Sequence, residues 1–134
     1  MGMKESPSPF CLDTSCAVVA KAEGRAGYVQ FASPSLSTTF ATLPPVVLQV
    51  AHAWACQLEQ WPNVERVYWF LLSEQVRHLH YHLFPRFVND TLRGTALFDA
   101  RFEASHPPEW TQEQCLCLEQ FCHQYHVALL PPTP

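Results

Sequence analysis

The sequence predicts a single α+β domain. It has a mainly antiparallel sheet, a long helix after an N-terminal hairpin, and a C-terminal helix. Three observations carry this. The chain has 134 residues, 48% apolar and only 15% charged, enough to bury one core without staples. Residues 27–33 and 78–86 alternate with a period of two, the signature of strands. Between them, apolar residues recur at steps of three and four, which marks a helix with one buried stripe. Residues 1–10 read as a flexible tail, 11–130 as the domain and 131–134 as a second tail.

Ser15–Ala22 is rich in small and β-branched residues and reads as a strand, with Glu23-Gly24-Arg25 as a turn. Gly27–Ser33 sets Tyr28, Gln30 and Ala32 on one face and Val29 and Phe31 on the other, completing a hairpin. Residues 34–39 form a Ser/Thr/Pro loop. A helix starts in Leu43-Pro44-Pro45, since proline suits a first turn, and runs to about Gln60. Its stripe is Val46, Val47, Val50, Trp54, Leu58 and Trp61, and Trp61-Pro62-Asn63 ends it. Arg66–Glu74 is apolar on both faces, as a central strand would be. His78–Arg86 alternates strictly and follows after three residues, which predicts an antiparallel pair. Residues 88–110 read as a long loop with turn signals. Thr111, with Gln114 three residues on, caps a last helix to about Tyr125.

The formal charge of −4 argues against a non-specific nucleic-acid binder, which needs a basic face. No apolar run reaches the ~18–20 residues that span a bilayer. The first residues hold no apolar core of a secretory signal, so a cytoplasmic chain with reduced cysteines and no membrane partner is expected. Nine Phe, four Trp and four Tyr agree with an oligomer interface as well as a core.

The chemistry is concentrated in His78-Leu79-His80-Tyr81-His82. Period two puts the three imidazoles on one face, with alternate Cα atoms ~7 Å apart. Packing alone does not explain them, because Leu or Val buries at lower cost. Imidazole titrates near neutrality and serves as nucleophile, general acid or metal ligand. A metal site on a His-x-His strand is one reading. Its further ligands would come from His52, Asp99 or His106, none at a telling spacing.

The stretch HLHYHLFPR resembles the histidine-triad (HIT) family pattern His-φ-His-φ-His-φ-φ, often followed by Pro-Arg. The φ positions here are Leu79, Tyr81, Leu83 and Phe84, and Pro85-Arg86 follows. The run RVYWFLLSEQVRH is similar to the lead-in of a bacterial-type branch, and the likeness covers roughly Gly27 to Phe98. The resemblance implies a HIT-like fold, usually a homodimer, that needs no cofactor and no metal. It implies cleavage at the α-phosphate of a nucleoside phosphoramidate or dinucleoside polyphosphate. His80 would be the nucleophile and form a covalent nucleotidyl-histidine. The carbonyl of His78 would fix its tautomer, and His82 would contact phosphate oxygens or the leaving group. Gln75 stands where some members place a leaving-group Ser or Thr, and Arg86 and Arg93 are candidate nucleotide or phosphate contacts. The chain departs from the pattern in two places. Ser33–Ser37 holds no fourth histidine, and Tyr68–Gln75 holds no Asn or Gly before the triad. A catalytically weak or inactive nucleotide-binding protein is therefore the alternative, and a metal-dependent hydrolase using the three histidines is the second.

Elsewhere, His52 reads as an exposed or capping residue. Cys11 and Cys16 have a C-x4-C spacing that fits a zinc pair poorly, and Cys115, Cys117 and Cys122 read as small apolar groups near His123 and His126.

Overall fold

A computed structural model describes residues 16–71, 77–101 and 109–131. The elements in chain order are β1 (Val18–Ala22), β2 (Val29–Ala32), α1 (Pro45–Glu59), β3 (Val64–Leu71), β4 (His80–Phe87), α2 (Thr95–Asp99), α3 (Gln112–Gln124) and β5 (Val127–Leu129). The strands form one mixed sheet in the order β3-β4-β2-β1-β5. β1·β2, β2·β4 and β3·β4 are antiparallel, and β1·β5 is parallel. The fold is α+β, with α1 and α3 on one face of the sheet and α2 on the other. No described helix is long and apolar enough to cross a membrane. The two expected tails fall largely outside the described residues.

The N-terminal hairpin and α1 arise as their residue patterns require. The hairpin turn closes with Glu23 N donating to Tyr28 O at 2.9 Å. Gly27 takes φ +84°, and a Cβ there would stand 2.6 Å from Pro85 Cγ, so the turn needs glycine for both conformation and space. Trp54 Nε1 donates to the Gly27 carbonyl at 3.2 Å, tying α1 to the same corner. Pro45 opens α1, and Val47, Val50, Ala51, Trp54 and Leu58 face the sheet. The fully buried Trp54 ring meets Phe121 edge-on at 5.1 Å, which locks α1 against α3. Thr111 and Gln114 form the expected capping box, with bonds of 3.1 and 2.9 Å.

Three expectations need correction. β3 is an edge strand, not a central one. Val67 and Leu71 pack on the α1 side, while Tyr68 and Phe70 pack with Phe84 and Phe98 on the other. Both faces are thus apolar although, among the described residues, one backbone edge has no neighbouring strand. Residues 88–110 are not all loop: α2 lies within them and buries Leu97 and Phe98. After α3, His126 turns the chain with φ +55°, and β5 adds a strand beside β1.

Candidate functional site

β4 divides its side chains as the alternation requires. Tyr81 and Leu83, with Leu79 just before the strand, join the core under α1, whereas Phe84 joins the cluster under α2. His80 and His82 share the Phe84 face, with ring centroids 4.5 Å apart. His78 lies before the strand begins, not on it. All three histidines are buried, at 1–6% exposure, so each polar nitrogen matters energetically.

The loop after β2 holds the start of this segment. Leu79 N donates to Ser37 O at 2.7 Å, and the backbone at Ser33 and Ser35 raises the His78 pKa against the lowering by burial. Ser33 and Ser37 are themselves buried. The stretch without a fourth histidine therefore supplies a backbone acceptor to the segment that opens the histidine run.

His80 Nδ1 lies 2.8 Å from the His78 carbonyl oxygen. A carbonyl only accepts, so Nδ1 carries the proton and donates. The lone pair of the neutral ring is then on Nε2. Burial lowers the His80 pKa, opposed by its bond to His78, and so favours that neutral ring. Burial, then the charge of His80, lowers His78 as well. His82 is pushed down to about 3, by burial first and then by the charges of His80 and Arg101.

His82 is held on two sides. Its Nδ1 lies 2.7 Å from the Tyr28 hydroxyl, and its ring meets Phe98 of α2 edge-on at 5.2 Å. Arg101, just past α2, stacks on Phe98 at 3.9 Å and donates to the Phe98 carbonyl at 2.7 Å. The segment following β4 thus folds back over the histidine face.

Arg86 shares the strand but lies six residues from His80, ~20 Å along an extended chain. Its Nη1 donates to Glu65 Oε2 at 2.8 Å. Arg93 is exposed in the turn before α2. Gln75, Cys11 and His106 lie outside the described residues. His52 is exposed, with Nε2 3.8 Å from Cys56 Sγ. Cys56, Cys115, Cys117 and Cys122 are free thiols, and burial pushes Cys122 up to about 12. Among the described residues no group of three or more His, Cys, Asp or Glu is arranged to hold a metal ion.

Sequence reasoning missed Tyr28, Gln30, Phe98 and Arg101. For Gln30 a signal existed, because a Gln in the middle of an apolar strand asks for a buried partner. In the sheet it sits directly across from His82. Arg101 lies in a stretch with no periodicity and carried no signal. Comparison with protein-family models finds no match to this chain, and comparison with curated proteins finds none.

Proposed function

We propose that the protein is a nucleotide phosphohydrolase or nucleotidyltransferase of the histidine-triad type. One observation carries the reading: the 2.8 Å bond from His80 Nδ1 to the His78 carbonyl, which leaves an unprotonated Nε2 on a neutral ring. That nitrogen attacks the α-phosphorus of a nucleoside phosphoramidate or dinucleoside polyphosphate. A P–N bond forms to His80 as the bond to the leaving group breaks, and the leaving group departs with a proton. Water then cleaves the P–N bond, releasing nucleoside monophosphate and restoring the imidazole. Two displacements replace one difficult step. In this reading the HIT-like fold, a homodimer, a nucleotide partner and a cytoplasmic location belong together. Gln75, Arg86 and Arg93 are its candidate nucleotide or phosphate contacts, and Arg86 is already paired with Glu65.

The low exposure of all three rings favours one second reading, a nucleotide-binding protein with little turnover. A single experiment separates the two. Adenylate and guanylate phosphoramidates and dinucleoside polyphosphates are offered in excess EDTA to the wild type and to His80→Ala. The proposal expects turnover in the wild type, a nucleotidyl adduct on His80 by mass spectrometry, and a loss on the order of 10⁴-fold or more in the variant. Turnover abolished by EDTA points to the metal-dependent alternative. Nucleotide binding by calorimetry without turnover points to the binding protein.

A further inference from the structure

The hydrogen bonds around His82 determine where its proton sits. Gln30 Nε2 lies 3.0 Å from Glu23 Oε1 and 3.3 Å from the Tyr28 oxygen. Glu23 is paired with Lys21 Nζ at 3.6 Å, and a carboxylate only accepts. The amide group facing it must therefore be the NH2, which has one proton for Glu23 and a second for Tyr28. The positive charge of Arg101 also acts on the phenol and lowers its pKa. The Gln30 amide thus points a donor at the Tyr28 oxygen. Its own proton goes to His82 Nδ1, 2.7 Å away. An accepting Nδ1 places the proton of the neutral ring on Nε2.

We propose that Tyr28, oriented by Gln30, is a positioning residue that holds His82 in the Nε2–H tautomer, presenting a neutral donor beside the His80 nucleophile. His80 and His82 are then opposite tautomers with centroids 4.5 Å apart, one offering a lone pair at Nε2 and the other an N–H. That pairing suits a phosphoryl group, whose phosphorus takes the lone pair while an oxygen accepts the N–H. Burial supports it independently. The Tyr28 phenol is pushed up to about 12, despite the opposing effect of Arg101, so it keeps the proton it donates. The catalytic half of this inference rests on the nucleotidyl reading above. The tautomer half rests on the hydrogen bonds alone.

The test is long-range proton–nitrogen NMR of histidine labelled with ¹⁵N in the imidazole ring, at neutral pH. In the wild type, His82 should show a pyridine-like Nδ1 and a pyrrole-like Nε2, and His80 the reverse. Tyr28→Phe should move the His82 pair toward averaged tautomers. It should also lower kcat on the order of 10-fold, part of what a positioned acid–base group contributes, with KM little changed. A wild-type His82 protonated at Nδ1 overturns the proposal, whether or not Tyr28→Phe folds. So does a folded Tyr28→Phe protein with unchanged His82 resonances. A wild type with the expected tautomers but no nucleotide turnover overturns the catalytic half together with the nucleotidyl reading.

Discussion

The two ends of β4 bury polar groups by opposite means. At the far end the groups are charged and paired. Arg25, 1% exposed, donates to Asp90 Oδ2 at 2.9 Å and to the Pro85 carbonyl at 3.4 Å. The same Asp90 oxygen accepts from Phe87 N at 2.8 Å. At the histidine end His80 bonds to a backbone carbonyl and His82 to a phenol. Ion pairs consume charge and hold the chain in place. Neutral bonds to one ring nitrogen fix the tautomer of the other, which is what an acid, base or nucleophile requires. On the proposed function, the contrast separates a structural end of the strand from a chemical one.

The largest expected effect is at the charged end. Asp90→Ala leaves the Arg25 guanidinium buried without its counter-charge and orphans the Phe87 amide. Breaking such a pair costs about 3–5 kcal/mol. Urea unfolding should show that loss, while turnover per folded molecule stays near the wild-type value. A small loss of stability, or a selective loss of turnover, would erase the distinction between the two ends.

Acidification should act on the histidine end instead. His82 has a folded pKa of about 3 against an ordinary 6.5. Between those values the unfolded chain binds a proton that the folded chain refuses, so stability falls as pH falls. The contribution is intact above 6.5, drains through this window and levels off below about 3. Moving from about pH 7.5 to about pH 5, His82 alone should withdraw about 2 kcal/mol. The lowered pKa values of His78 and His80 act with the same sign. In His82→Asn, whose side-chain oxygen can still accept from Tyr28, the slope of stability against pH should be shallower. An unchanged slope would place the protonation elsewhere.

Local patterns made part of this legible. The alternation of 78–86 placed His80 and His82 opposite Leu79, Tyr81 and Leu83, because period two is a property of the strand alone. The Thr111–Gln114 box was equally local. The alternation of 27–33 also put Tyr28 and Gln30 on one face, yet only the register that sets Gln30 across from His82 gives them a role. Periodicity reports which faces are covered and not which backbone edges are paired, so β3 looked central. α2 has five residues and β5 three, too few for either period to emerge. Arg101 acquires its place only because α2 carries the chain back over the triad.

The smallest expected effect sharpens the contrast at the Arg86–Glu65 pair. Arg86 looks like a phosphate ligand by its position after the triad, but Glu65 already takes its Nη1, and Glu65 is 48% exposed. Water reaches the carboxylate half, so the pair should hold less stability than the more enclosed Arg25–Asp90 pair, whose carboxylate is only 16% exposed. Glu65→Gln should therefore shift the urea midpoint less than Asp90→Ala and leave KM for nucleotide substrates unchanged. If Glu65→Gln instead lowers KM, releasing Arg86 has strengthened substrate binding. The charged end of β4 would then belong to the site as well as to the scaffold.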